Sequence, residues 1–148
     1  MAWDAADFVR VLVHSLREDI VCGVYPSRRE PMGFFVRLIP EAKPDDYDLL
    51  EIEGAGIGFC CVRRGVVEHL SKIAPTLLFP GVPHPIPAVF RCDDDGEEAR
   101  GEDFAFFSDC RAAGYAVKCD PTITLSHLGF KEYRGRLSDA MTKENSSG

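Results

Sequence analysis

The segment that most constrains the fold runs from residue 101 to residue 129 and reads GEDFAFFSDCRAAGYAVKCDPTITLSHLG. At about 100° per residue, one arc of a helix collects its apolar side chains, which are Phe104, Phe106, Phe107, Cys110 and Ala113. A strand-like run and then a lone histidine followed by glycine come next. The order predicts an amphipathic helix that returns directly into a sheet, as in an α/β domain.

Two carboxylates lie at the mouth of this helix. Asp103 falls in the middle of the apolar arc and Glu102 at its edge. Acidic residues in a first helical turn are favoured as caps and by the helix dipole. A carboxylate that points with the apolar side chains is nevertheless costly to bury without a partner or a use. Capping and a functional role therefore both remain open for the pair.

His127 follows the predicted strand and is read in two ways. It ends that strand either as a histidine satisfied by backbone groups or as a functional imidazole. A short return from helix to strand can bring it and the acidic pair to one sheet edge, where α/β proteins bind ligands. The sequence thus predicts a shared hollow between Asp103 and His127.

The remaining pattern predicts an α/β chain with a mixed sheet flanked by helices. Its expected elements are a helix over 4–17 with Asp4 as N-cap, strands over 20–24, 47–53 and 87–92, an edge strand or lid near 34–39, and a helix over 65–73. In the first helix Phe8, Val9 and Leu12 share the apolar side, whereas His14 is expected to face solvent.

Glycine recurs at every second position in Gly54, Gly56 and Gly58. In a strand this spacing clears one face of side chains, which admits either a ligand or close packing against another element. The spacing lacks the third glycine of a dinucleotide-binding fingerprint, and no helix follows directly.

Composition excludes several classes of function. The net charge of −7 disfavours a nucleic-acid or anionic-membrane surface. No run approaches the roughly 20 apolar residues of a membrane span, and no secretory leader is visible. The six cysteines show no zinc-binding spacing, so reduced thiols in a cytoplasmic protein are expected.

Three segments are predicted to form a connection, a loop and a tail without helices. Residues 75–87 contain five prolines and predict a stiff, extended connection. The acidic run 93–95 predicts a solvated loop. The polar residues 137–148 are expected to be a disordered tail, which leaves residues 1–136 as a single domain.

Several of these features occur in one order that resembles a known family. The elements, as they stand here, are Gly23-Val24-Tyr25-Pro26, the run 54–59 followed by Arg63-Arg64, Gly101-Glu102-Asp103, Phe104 and Phe107, Ala113-Gly114-Tyr115, Asp120-Pro121 and His127-Leu128-Gly129. Over about residues 1–130 the chain resembles the C-terminal half of nucleotide-sugar glycosyltransferases of the GT-A fold, of the inverting family-two type.

The resemblance implies transfer of a sugar from a nucleotide-sugar donor to a hydroxyl acceptor, with inversion. It implies Asp103 as general base, Glu102 as a residue that orients the acceptor or its loop, and His127 as a contact to a divalent metal, Mn²⁺ or Mg²⁺, or to the diphosphate. It also implies Gly54, Gly56, Gly58 and Gly101 as substrate-binding positions.

Members of that family carry a nucleotide-binding half that ends in Asp-x-Asp before this region. No such motif precedes Met1-Ala2-Trp3-Asp4 here, and Asp93-Asp94-Asp95 stands at another place in the order. The chain is therefore expected to be an acceptor-side piece that needs a missing N-terminal half or a partner chain. Alternatives are a non-catalytic sugar- or nucleotide-binding remnant and a protein-interaction module.

Overall fold

The computed structural model describes residues 1–94, 96 and 99–145. Its helices are α1 (Ala5–His14), α2 (Arg64–Ile73), α3 (Glu102–Ala112) and α4 (Leu137–Asn145), and a 3₁₀ turn covers Ile57–Phe59. Its strands are β1 (Ala2–Trp3), β2 (Ile20–Gly23), β3 (Val36–Leu38), β4 (Leu50–Ala55), β5 (Cys60–Val62), β6 (Thr76–Leu77), β7 (Ile86–Pro87), β8 (Asp93–Asp94), β9 (Ala99–Arg100), β10 (Lys118–Asp120), β11 (Leu125–Leu128) and β12 (Glu132–Gly135). None of the helices within these residues is long and apolar enough to cross a membrane.

A five-stranded mixed sheet forms the centre of the molecule, in the order β3-β4-β10-β2-β5. Strands β2 and β10 are parallel, whereas the other neighbours pair antiparallel. A second, three-stranded antiparallel sheet has the order β1-β11-β12. The predicted α/β class with a mixed sheet flanked by helices is confirmed, and the expected strand over 34–39 is the edge strand β3.

Helix α3 buries part of the arc that the sequence predicts, since Phe104 and Ala113 are only half-buried. Phe106, Phe107 and Cys110 have no exposed surface and pack in one cluster with residues of the central sheet. The ring of Phe106 stacks on Phe90 with the ring centroids 4.5 Å apart. Burial of an aromatic side chain of this size is among the largest single contributions to a small core.

Helix α1 lies differently from the expectation. Asp4 caps it by accepting a hydrogen bond from the Ala6 N–H at 2.8 Å, as predicted. Only Val11 is buried, however, and the other apolar side chains are exposed, namely Phe8, Val9, Leu12, Val13 and Leu16. The expected solvent position of His14 is wrong, since its side chain is only 19% exposed.

The reason for this orientation is a buried carboxylate. Asp120, at the end of β10, is 2% exposed, and its Oδ2 lies 2.7 Å from Arg10 Nη2 and 3.4 Å from His14 Nε2. Its Oδ1 accepts a hydrogen bond from the Thr122 N–H at 2.9 Å. Because leaving a buried acid unpaired is costly, the polar side of α1 turns toward β10 and the apolar side is left outside.

The run of alternating glycines is not one strand. β4 ends at Ala55, the 3₁₀ turn follows, and β5 begins at Cys60. Sequence periodicity cannot reveal this change, because the space beside the three glycines is filled by four side chains from distant parts of the chain, namely Met1, Tyr25, Phe104 and Phe107.

Two further expectations need correction. Residues 87–92 are not a strand, because β7 ends at Pro87. Residues 137–145 form helix α4, with Leu137 buried and Met141 packed on the core, in place of a disordered tail. The end of that predicted tail, 146–148, lies outside the described residues.

The acidic run is only partly covered by the structure. Asp93 and Asp94 form β8, and Asp93 Oδ1 accepts a hydrogen bond from Arg100 Nε at 2.9 Å. Asp93 is therefore an ion-pair partner and not simply a solvated charge. Asp95 lies outside the described residues.

Phe106→Ala tests the core. We expect it to lower the free energy of unfolding by about 3–5 kcal/mol, since it removes a fully buried ring. Phe130→Ala is the matched control, because this ring is fully exposed and its loss should change stability by less than about 0.5 kcal/mol. Urea denaturation measures both, and equal costs would contradict the described core.

Candidate functional site

Tyr25 organises the candidate site. It follows β2 directly, where the parallel strands β2 and β10 have their carboxyl ends. Its ring lies parallel to the ring of Phe35, with an interplanar angle of 8° and a centroid distance of 6.0 Å. The His127 imidazole lies at an interplanar angle of 72° to the Tyr25 ring, in an edge-to-face arrangement with the ring centroids 5.1 Å apart. Tyr25 thus stands between an aromatic wall and the predicted functional histidine.

The Tyr25 ring occupies the space that a side chain at position 56 would need. A Cβ built on Gly56 would overlap the Tyr25 hydroxyl and its ring. In the same way, Phe104 and Phe107 fill the space above Gly54, and the Met1 side chain lies at Gly58. These contacts favour the packing interpretation of the three glycines, and their role in substrate binding stays a prediction.

Asp103 is half-buried in the first turn of α3. Burial raises the pKa of its carboxyl and the nearby Glu102 charge raises it further, whereas a hydrogen bond from the Ile57 backbone opposes both. The pKa of Tyr25 is raised first by burial and then by the charge of Asp103. Asp103 and Tyr25 are therefore close enough to interact electrostatically.

Glu102 and Gly101 lie at the surface end of α3. Glu102 is exposed, and its Oε2 is 3.8 Å from the Cys92 thiol. Gly101 is the N-cap residue and provides no side-chain hydrogen bond to the helix. Both acids meet the positive end of the helix dipole, so stabilisation of the helix start remains a sufficient explanation for Glu102.

The hydrogen bond of His127 determines which of its nitrogens is available. Nδ1 lies 3.0 Å from the carbonyl oxygen of Pro26. A carbonyl oxygen only accepts, so Nδ1 is the donor, and in the neutral ring Nε2 keeps its lone pair. One ring nitrogen is thus satisfied by the backbone, as one of the two interpretations of the sequence expects. The other nitrogen, Nε2, is left for a ligand.

An open hollow of about 370 Å³ lies beside His127 and Tyr25. Its remaining walls are Ser27, Arg28, Arg29 and Phe35. A neighbouring hollow of about 420 Å³ is lined by Arg28, Gly129, Phe130 and Tyr133. Arg28 therefore borders both hollows.

Gly129 makes the position of Arg28 possible. A Cβ on this glycine would stand 3.3 Å from Arg28 Cδ, closer than most such contacts. The stem of Arg28 thus packs on the bare backbone after His127. This contact explains the spacing in His127-Leu128-Gly129. The histidine lines the hollow, and the glycine leaves space for the arginine that lines it too.

Asp103 and His127 do not line one hollow together. Tyr25 contacts the imidazole directly and senses the carboxylate through its pKa, whereas Asp103 is not among the residues that line either hollow. The predicted hollow shared by Asp103 and His127 is therefore not found in these two hollows, which include His127 or its neighbours but not the acid.

No group of three His, Cys, Asp or Glu side chains suited to a metal ion occurs in the described part of the chain. His127 alone therefore does not make a metal centre with its described neighbours.

Sequence reasoning did not identify Phe35 or Arg28 as site residues, and it named Tyr25 only as part of the family resemblance. A usable signal was present, since Tyr25-Pro26 directly follows a buried strand whose carboxyl end is a typical ligand position. Phe35 could not be recognised, because its contact with Tyr25 depends on how the loop 27–35 returns.

Gly56→Ala tests the seat of Tyr25. Gly56 has φ of −68°, which any residue tolerates, so the effect is steric. We expect a loss of about 1–3 kcal/mol in the free energy of unfolding and a changed tyrosine fluorescence. Gly65→Ala is the control, because open space surrounds Gly65 and alanine favours helix α2. Unchanged stability of Gly56→Ala would contradict the described contact.

Asp103→Asn tests the burial of the acid through pH. Because the folded state holds the Asp103 proton more tightly than the unfolded state, wild-type stability falls as pH rises from the ordinary value of 3.8 through the raised pKa. Asparagine has no such dependence, so the stability of the variant relative to wild type should increase over this interval. Thermal melts from pH 3 to pH 7 measure the difference, and a constant difference would refute it.

Comparison with protein-family models, with curated proteins and with solved structures gives no match for this chain. The case for a function therefore depends on the arrangement of Asp103, Tyr25, His127 and Arg28.

Proposed function

We propose that this chain is the acceptor-side part of a glycosyltransferase, which transfers a sugar from a nucleotide-sugar donor to a hydroxyl group of an acceptor, with inversion. The observation that carries the proposal is the hollow lined by His127, Tyr25 and two arginines, in which the ring of Tyr25 packs against His127. The charge of Asp103 adds to it by raising the pKa of Tyr25, after burial. Such a transfer requires a general base and positive charge for the departing diphosphate. His127 and the two arginines line the hollow, and Asp103 lies outside its lining.

Asp103 is the proposed general base. Partial burial raises its pKa, which brings a carboxylate closer to the basicity useful near neutral pH. It accepts the proton of the acceptor hydroxyl while the hydroxyl oxygen bonds to the anomeric carbon. The bond from that carbon to the diphosphate breaks, and its electron pair leaves with the diphosphate oxygen. Glu102, whose charge raises the pKa of Asp103, orients the acceptor or its loop in this proposal.

Arg28 and Arg29 are the proposed contacts for the negative charge that develops on the diphosphate. Both line the hollow beside His127, and guanidinium groups suit phosphate oxygens in charge and in geometry. His127 Nε2 adds either a hydrogen bond or a metal ligand on the same wall. Gly129 and Gly56 contribute by lacking a side chain, which leaves space for Arg28 and for Tyr25 respectively.

A divalent metal such as Mn²⁺ or Mg²⁺ enters only as an implication of the family resemblance. When bound, it would neutralise charge on the diphosphate. The described residues provide no group of three suitable ligands that includes His127, so they do not fit a complete site. The proposed step is therefore written without a metal, and further ligands would come from an N-terminal half or a partner chain.

Calorimetric titration with uridine and guanosine diphosphate-sugars, with and without Mn²⁺, tests binding. We expect saturable binding to one of the donors and a loss of about 10-fold or more in affinity for Arg28→Met, because a charge-assisted hydrogen bond to phosphate is removed. Arg64→Met, an exposed arginine at the start of α2, is the control and should bind normally. An equal loss in both variants would contradict a local phosphate contact.

Turnover tests the base. In the presence of a hydroxyl acceptor, release of nucleoside diphosphate should fall by about 10²–10⁴-fold in Asp103→Asn, with donor binding retained. Glu68→Gln, which changes an exposed acid on α2, should leave the rate unchanged. A normal rate in Asp103→Asn would refute the role of the acid.

A binding module without catalysis is the second candidate, because the described residues lack a three-ligand metal group. It predicts donor binding that depends on Arg28 with no release of diphosphate in any condition. No binding of any nucleotide-sugar and no effect of Asp103→Asn beyond stability would contradict both candidates and favour a protein-interaction module.

A further inference from the structure

Two cysteines face each other across the last pair of strands in the central sheet. Cys22 in β2 and Cys60 in β5 are direct register partners in the antiparallel pairing. Their sulfur atoms lie 3.2 Å apart. Sulfurs in a disulfide are about 2.05 Å apart, so a movement of about 1 Å separates this contact from a covalent bond.

The surroundings distinguish this pair from the other cysteines. Cys22 is fully buried, and the hydrogen bond with Cys60, followed by burial, raises its pKa. Cys60 is half-buried and lies on the outermost strand of the sheet, where a small reagent can approach it. The side chain of Cys61, next in sequence, packs in the separate cluster around Val11 and Phe59.

We propose that Cys22 and Cys60 form an oxidation site, in which a peroxide converts the thiol pair into a cross-strand disulfide. All six cysteines are free in this structure. The proposal is independent of the transferase reaction, because it depends only on the register and the contact of the two sulfurs.

The chemistry balances in two steps. The Cys60 sulfur, as the thiolate, attacks one peroxide oxygen and becomes a sulfenic acid, while the other oxygen leaves and is released as water. The Cys22 sulfur then attacks the sulfenic sulfur, the disulfide bond forms, and a second water leaves. Two thiols are oxidised by two electrons, and one hydrogen peroxide is reduced to two water molecules.

The bond would join the two strands that lead into the candidate site. Tyr25 follows β2, and the 3₁₀ turn that includes Ile57 precedes β5. A cross-link there closes the chain between the two cysteines into a loop, which restricts the unfolded chain and raises the melting temperature.

Peroxide treatment of folded Cys92→Ser tests the proposal, since this background removes the exposed thiol that would link two molecules. After unfolding, the remaining thiols are alkylated and counted by intact mass. We expect the count to fall from five to three and to return to five after reduction. Digestion should yield one linked peptide pair that contains Cys22 and Cys60, and the oxidised protein should melt at a higher temperature.

The neighbouring cysteine provides the matched control. Cys61→Ser in this background should still lose two thiols, whereas Cys60→Ser should lose none and should not gain stability. Circular dichroism verifies that each variant is folded, and Cys60→Ala replaces a serine variant that is not. Five alkylated thiols after peroxide, or a disulfide that links Cys22 to another cysteine, would overturn the assignment.

Discussion

The packing of the Tyr25 ring against the backbone of Gly56 holds the candidate site together. Tyr25 lies over Gly56, where any side chain would displace it, and from there it reaches Phe35, His127 and the charge of Asp103. Three separate parts of the chain thus meet on a single side chain. Because a packed ring leaves little freedom to its neighbours, the imidazole of His127 and the ring of Phe35 keep a fixed relation.

The central sheet determines where this contact forms. β2 and β10 run parallel, and their carboxyl ends lead to Tyr25 and to Asp120. Tyr25 lines the hollow, whereas Asp120 contacts Arg10 and His14 and so fixes helix α1 to the sheet. Two polar groups at the same sheet edge therefore differ in role because one faces an open hollow and the other is buried under a helix.

Local periodicity predicted α3, β2 and the N-cap Asp4, since each follows from spacing and burial within one segment. Local periodicity failed where the structure of a segment depends on residues that are distant in sequence. The orientation of α1 depends on Asp120, more than 100 positions away. The space beside glycines 54, 56 and 58 is filled by four side chains from three distant segments. Helix α4 was missed because its anchoring residues, Leu137 and Met141, are few among polar neighbours. In the site, Asp103 and His127 could be selected by residue type, but Tyr25 could not be recognised as their link.

Nuclear magnetic resonance of the ¹⁵N-labelled chain, titrated with a nucleotide-sugar, tests this account most directly. The account predicts that the amide signals of Tyr25, Arg28 and Gly129 and the ring nitrogens of His127 shift together and saturate at one ligand concentration. Shifts that cluster elsewhere, such as along α2, with these signals unmoved would contradict it.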